Sequence, residues 1–262
     1  MEKLGYSAPS VKKAFKILHA IADSSTGLGV SDLAKELKIG KSTVHGITAA
    51  LEEMGLLIRD SARKKYRVGY TLLELGRKAY ARIDLKEVTR KSMERLTEEV
   101  GETAFLGALN GDHVTILDVV ESPKEMKITS PPGTRLPLLV GATGRVLLSL
   151  LEQDKAKEIV EKLGLVRYTP KSVIDPKQFL KGVARAREVG YAVDREEYIL
   201  GVIAIAAPIR ASALPPAAIW VVGFTSTLDN KKVEMVCSKI REKAEEINHS
   251  LAAANGTHSP EA

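Results

Sequence analysis

Cysteine is almost missing from this sequence: Cys237 is the only one in 262 residues. One thiol excludes an internal disulfide and a cysteine-built metal site. The five histidines are scattered, and no HxxxH or CxxC pair offers ligands at metal spacing. No apolar run is long enough to cross a bilayer, and the opening MEKLGYSAPS has no signal-peptide stretch. The expected location is the cytoplasm, with no membrane partner. Catalytic patterns are equally thin. The segment GATGR (Gly141 to Arg145) could cradle an anion at a helix start, but it lacks the GxxxxGK[ST] pattern of a phosphate loop. Asp194, Glu196 and Glu197 have no histidine or nucleophile paired with them by spacing. An enzyme, a cofactor and a resident metal are not expected.

What is present is basic charge in one place. Residues 1–85 hold 15 Lys/Arg against 9 Asp/Glu, a net +6, whereas residues 86–262 hold 24 of each. The length suits two domains. The split puts the whole excess on the first, the footprint of a nucleic-acid-binding module joined to a neutral partner.

Within the basic third, Val30 to Leu57 (VSDLAKELKIGKSTVHGITAALEEMGLL) reads as two helices about a tight turn. Val30, Leu33, Ala34 and Leu37 recur at helical spacing, with Ser31 and Asp32 in the first turn to serve free backbone N–H groups. Ile39-Gly40 breaks the pattern, glycine permitting a sharp turn. The second helix starts at Lys41 or Ser42, buries Val44, Ile47, Thr48 and Leu51, and stops at Gly55. This is a helix-turn-helix pattern. The outward N-terminal face of its second helix carries Lys41, Ser42, Thr43 and His45, which suit base edges and phosphates in a major groove. Ahead of it, Ser10 is the expected N-cap of a helix to Ala22 with Val11, Ala14, Phe15, Ile17, Leu18 and Ile21 on its apolar face. Met1 to Pro9 is expected to be a loose arm.

Behind it, LLIRDSARKKYRVGY is a β-hairpin, with Leu56, Ile58, Tyr66 and Val68 flanking the turn Asp60-Ser61-Ala62-Arg63. Arg59, Arg63, Lys64, Lys65 and Arg67 fall within nine residues. Such a wing touches backbone phosphate, and an arginine at its tip can enter a minor groove. Double-stranded DNA is therefore the expected partner.

From Thr71 to Val100 the period is helical. Leu72, Leu73, Leu75, Ala79 and Tyr80 form one stripe and Val88, Met93, Leu96 and Val100 another, broken near Ile83-Asp84. A linker and dimer contact is expected there, because one winged helix reads only a short half-site. The remainder predicts a largely antiparallel α+β domain. Strands are expected at Thr103–Leu109, His113–Val120, Met126–Thr129, Tyr191–Asp194, Val202–Ile209 and Ala218–Phe224. PPGTRLP (Pro131 to Pro137) is expected as a rigid loop. Helices are expected at Gly144–Leu151, Glu152–Leu163, from Asp175-Pro176 to Gly190, and at Leu228–Ala254. The expected divisions are residues 8–70 (winged helix-turn-helix), 71–100 (linker), 101–254 (effector domain) and 255–262 (tail).

Over nearly its whole length the chain resembles IclR-family transcriptional regulators. KSTVHGITAALEEMGLL carries the likeness in the N-terminal part. GETAFLGAL, SPPGTRLPLLVGATGRVLLSLL and GYAVDREEYILGVIAIAAPI carry it in the C-terminal part. The resemblance implies a GAF-like effector-binding domain, homodimers or homotetramers, and control by a small molecule. It places the effector site at Leu136, Gly141, Ala142, Thr143, Asp194, Val202, Ala204, Trp220 and Val222. Two departures stand out. Gly46 occupies a recognition-helix position where many relatives carry arginine, which shifts recognition to Lys41, Ser42, Thr43 and His45. Relatives that bind small keto acids tend to have cysteine at 204 and serines at 220 and 222, where this chain has Ala, Trp and Val. That exchange makes the site more apolar and poorer in hydrogen bonds. The expected effector is bulkier than glyoxylate or pyruvate, an organic or aromatic acid or acyl compound. Trp220 either stacks on it or fills the space, and Asp194 either accepts from the ligand or caps a turn. The alternative is a DNA-binding regulator whose C-terminal domain only oligomerises and binds no effector.

Overall fold

A computed structural model describes residues 8–81, 84–210 and 215–256. The expected arm over residues 1–7 and the tail beyond 256 lie outside the described residues. The chain divides into two compact units, residues 1–82 and 83–262.

In the first unit, α1 (Pro9–Asp23), α2 (Val30–Leu37) and α3 (Lys41–Glu53) pack on a hairpin of β1 (Leu57–Asp60) and β2 (Lys65–Val68). Ile17, Ile21, Leu33, Val44, Leu51, Leu57 and Tyr66 form the core. Leu28 pairs with Tyr66 as an isolated bridge. Asp32 holds the start of α2 by accepting the Gly29 N–H at 3.0 Å. Three local expectations are corrected. Ser10 is not a cap, because Pro9 already opens α1, where its missing N–H costs nothing. Val11 and Phe15 do not face the core; Phe15 is 60% exposed. The left-handed residue between α2 and α3 is Lys38 (φ 54°), whereas Gly40 has φ −59°, open to any residue. The last helix of this unit, α4 (Tyr70–Ala81), leaves Tyr70, Leu73 and Leu75 exposed; the Ala79 and Tyr80 side chains lie outside the described residues.

The second unit opens with α5 (Asp84–Val100), which leads into an antiparallel sheet. Its strands are β3 (Thr103–Asn110), β4 (His113–Val120), β5 (Arg135–Pro137), β6 (Ala192–Arg195), β7 (Val202–Ile209) and β8 (Ala217–Phe224). Their order is β5-β4-β3-β8-β7-β6. One face packs on α5 and on α9 (Asn230–Gly256), through residues such as Met93, Leu96, Leu106, Val221 and Ile240. The other carries α6 (Gly141–Ser149), α7 (Gln153–Leu163) and α8 (Pro176–Val189) over Phe105, Val146, Phe179 and Trp220. Every residue of α6 is buried, so it forms the interior layer. As expected, Asp175 caps α8 by accepting the Gln178 N–H at 2.7 Å. Met126–Thr129 is not a strand, and Met126 is 76% exposed. The strand beside β4 is instead β5, inside the segment expected to be a rigid loop. An edge strand ending in proline is permitted because its outer side needs no N–H donor.

A glycine decides how the sheet presents its tryptophan. A Cβ on Gly107 would lie 2.7 Å from the Trp220 ring and 2.9 Å from the Thr115 carbonyl. The indole therefore leans over bare backbone. Gly107→Ala should destabilise the unit by about 1–3 kcal/mol through overpacking, lowering the melting temperature and shifting the emission of the lone tryptophan. An unchanged melt and spectrum would mean that the ring yields freely.

Candidate DNA-reading face and effector cavity

Lys41, Ser42, Thr43 and His45 are all exposed at the start of α3. The residue ahead of the helix is Gly40, and no side chain caps it. The first-turn N–H groups are thus open to an anion. Gly46 is exposed, and an added Cβ there would meet nothing within 4 Å.

The five wing cations do not share one side. Arg59 stands opposite Tyr66, its guanidinium 5.8 Å from that ring's centre, on the face that carries buried Leu57. Lys65 and Arg67 stand on the other face with Ile58 and Asp60. Arg63 and Lys64 sit at the tip. There Asp60 accepts the Ala62 and Arg63 N–H groups at 3.0 Å, and Lys64 is left-handed at φ 53°.

In the second unit, eight of the nine positions inferred for the effector surround one cavity of about 110 Å³: Leu136, Ala142, Thr143, Asp194, Val202, Ala204, Trp220 and Val222. The ninth, Gly141, lies behind Asp194, and a Cβ there would overlap the Asp194 carboxylate. Gly141 also has φ +43°, so both space and backbone call for glycine. The space in front of Gly141 is thus taken by the Asp194 side chain. Trp220 is 3% exposed and stacks on Phe105, with ring centres 5.5 Å apart and planes 8° apart.

Sequence reasoning missed Phe105, Ile116 and Val140 in the walls, and Ile128, Ser130, Tyr198 and Ile199. Phe105 could have been found from register, because it pairs directly with Trp220. The last four lie outside strands and helices, where no period marks them.

Asp194 caps a turn: its Oδ1 accepts the Glu197 N–H at 2.6 Å. Glu197 in turn takes both terminal nitrogens of Arg145, at 2.8 and 2.6 Å. Arg145 also donates to the Val193 carbonyl and lies over the Phe179 ring. Glu196 is engaged by Lys171 and accepts the Gly201 N–H at 2.9 Å. Of the three carboxylates, Glu196 and Glu197 are committed to ion pairs, which leaves Asp194 without an acid–base partner. Among the described residues, no group of three or more His, Cys, Asp or Glu is placed to hold a metal.

Two family models match the chain: the IclR helix-turn-helix domain over residues 10–61 and the C-terminal domain of bacterial IclR regulators over residues 77–249. The chain belongs to the IclR family. It is 34% identical to the transcriptional regulator BhcR of Paracoccus denitrificans over 93% of this chain and 87% of that protein. It is 27% identical to the transcriptional repressor AllR of Escherichia coli over 93% and 90% of the two chains. Among solved structures, the Thermotoga maritima IclR matches with a TM-score of 0.68 at 27% identity, covering 93% of this chain and 98% of that one. An IclR homologue from Microbacterium hydrocarbonoxydans, complexed with 4-hydroxybenzoate, matches at 0.75 and 25% identity, covering 93% and 99%. This IclR-family chain is a DNA-binding transcriptional regulator with a winged helix-turn-helix and a GAF-like α+β domain. No described helix is long and apolar enough to cross a membrane.

Burial pushes the Asp194 carboxyl up to about 6 from its ordinary 3.8. The neighbouring Glu197 charge adds to the rise, against the Glu197 N–H and Arg145, which lower it. The folded state therefore holds this proton more tightly than the unfolded chain does. The favourable contribution is complete below 3.8 and is lost as pH rises to about 6. Above that, burial of the ionised group costs on the order of 3 kcal/mol. Asp194→Asn keeps an oxygen for the Glu197 N–H and removes the titration. Urea midpoints of the parent should fall relative to those of the variant as pH rises from about 3.8 to about 6. Parallel profiles would contradict this account.

Proposed function

We propose that the chain is a cytoplasmic, homodimeric or homotetrameric regulator whose grip on its operator is set by a single-ring aromatic acid or an organic acid of similar size. The observation that carries this reading is the cavity floored by Phe105 and Trp220. Its walls are mostly apolar, with Thr143, Asp194, Ser130 and Tyr198 as the polar groups. Few polar groups on an apolar wall is the usual build of a small-molecule site. An engineered apolar cavity of about 150 Å³ admits one benzene ring; at about 110 Å³ this one is smaller, so it takes a short chain as it stands, a one-ring acid only with a shift of its walls, and no acyl thioester. The 4-hydroxybenzoate bound by the Microbacterium relative supports the same class. A protonated Asp194 donates a hydrogen bond to the acid's carboxylate, where an ionised one repels it.

On DNA, α3 lies in the major groove with Lys41, Ser42, Thr43 and His45 facing it, and the open N-terminus of α3 takes a phosphate. Arg63, Lys64, Lys65 and Arg67 meet backbone or minor groove. Arg59, turned toward Tyr66, contributes least. The exposed apolar residues of α4, Leu73 and Leu75 with Tyr70 just ahead of them, supply a dimer contact, whereas the second half of the expected 71–100 linker, α5, packs on the sheet, so the effector domain takes in α5 ahead of 101–254. Effector control is then a population shift, in which the acid favours one dimer geometry over another.

Two experiments test the reading. Benzoates, phenylacetate, glyoxylate and pyruvate are titrated while Trp220 emission and operator affinity are followed. An aromatic acid should change both at matching concentrations. Tight glyoxylate binding with no response to aromatic acids would sink the effector class. No response to any acid would favour Trp220 as mere filling in an oligomerisation domain. On DNA, Lys64→Ala should weaken binding evenly across sequences and reduce the salt slope by about 1. Ser42→Ala and His45→Ala should instead change preference between sites. Uniform loss from all three would undo this division of roles.

A further inference from the structure

A second concavity, of about 900 Å³, lies along β6 between α8 and α9, on the far side of the Asp194–Glu197 turn from the effector cavity. β6 is the end strand of the sheet, so one side of its backbone has no neighbouring strand. The Glu196 N–H donates to the Val202 carbonyl at 2.9 Å, which fixes the ladder's alternation. Ala192 and Asp194 turn their backbone groups toward β7, and Val193 and Arg195 turn theirs outward. The outward Val193 carbonyl is taken by Arg145. Among the described residues no partner is recorded for the Val193 N–H or for either backbone group of Arg195.

Charge narrows what that strand can be. Lys181 and Arg185 on α8, Arg195 on β6 and Arg241 on α9 line the groove, and all are exposed. None of the four enters an ion pair among the described residues. Against them stand only Glu188 and Glu234, since Glu197 is held by Arg145. A second copy is a poor match. Antiparallel pairing of β6 with its two-fold mate would set α8 beside α8, and so Lys181 and Arg185 against their own like charges. Val189, Val193 and Val233 give the groove apolar ground between the cations.

We propose that this edge is a docking groove for an extended acidic segment of another protein, added to the sheet as a strand beside β6. Backbone bonds to Val193 and Arg195 supply the attachment; because strand side chains alternate between faces, the acidic ones meet Arg195 and Arg241 on the α9 face while the apolar ones lie toward Val189 on the α8 face. The site needs nothing from the effector cavity and stands whether or not a ligand binds there.

The test uses the full chain and an end-blocked, fluorescein-labelled Glu-Val-Glu-Val-Glu-Val peptide, followed by anisotropy. A Lys-Val counterpart, a backbone N-methylated version and a short single-stranded DNA run in parallel. The acidic peptide should bind saturably, the Lys-Val and N-methylated peptides should not, and Arg195→Glu should weaken binding by ~10-fold or more, as loss of a paired charge does. Arg195 is exposed, so circular dichroism and melting should match the parent. Absence of saturable binding, or equal binding by the variant, overturns the proposal. So does DNA that displaces the peptide and is itself lost with Arg195→Glu, because the groove would then read phosphate. A change in sedimentation on Arg195→Glu without peptide would assign the edge to a second copy and overturn it as well.

Discussion

The buried pairing of Arg145 with Glu197 is the joint on which the effector half of the molecule turns. Arg145 reaches from the interior helix α6 to the β6–β7 turn, touching the Val193 carbonyl and the Phe179 ring on the way. Both side chains are largely hidden, at 9% and 15% exposure. Such a pair adds little net stability over an apolar filling, yet removing one partner strands a charge and costs about 3–5 kcal/mol. Its worth lies in position. With Glu197 fixed, its N–H is aimed at Asp194, and Asp194 is held against the start of α6. The cavity wall, the sheet edge and the turn between them are thus one connected piece.

That arrangement gives Asp194 its character. A carboxylate in water would satisfy itself with solvent. Here it has only backbone donors, from Glu197 and Tyr198, an acidic neighbour and little exposure, so its charge is held at a cost. A group in that condition responds to whatever enters beside it. By contrast, Glu102 has even less exposure freedom but meets Lys124 at 2.6 Å, Lys232 at 2.9 Å and the Thr227 hydroxyl at 3.1 Å, and burial is outweighed, holding its carboxyl below the usual range. The two buried acids differ in their cationic partners and in how deeply each carboxyl is desolvated.

Much of this was legible in the sequence, for identifiable reasons. The helix pair and wing announced themselves because Leu33, Val44 and Leu51 keep a helical period and Asp60 marks a turn. Asp175, Pro176 and Gly190 punctuated α8 at both ends. Where punctuation misled, context had overruled it. Pro137 argued for a loop, but an outermost strand tolerates it. Gly40 looked like the pivot between α2 and α3, but the backbone turned at Lys38 instead. Phe15 kept the period of α1 and still faced outward, because period gives a stripe and not its width. The cavity positions other than Gly141 converge in the fold, yet they were available only through family likeness. Tyr198 and Ile199 carry no local signal, since what brings them to the cavity is the path of a loop.

The contact between Gly107 and Trp220 ties two distant positions of the chain into one unit of change. The indole occupies the space that a side chain on β3 would otherwise fill. Replacing Trp220 with a smaller residue leaves a strip of bare strand, and giving Gly107 a side chain evicts the ring. A shift in what this cavity accepts therefore starts more readily at 220 than at 107, because the Thr115 carbonyl, 2.9 Å from a Cβ at 107, resists a side chain there even after the ring is gone. Variants with altered preference should change Trp220 first, with a side chain at 107 following only where β4 gives way.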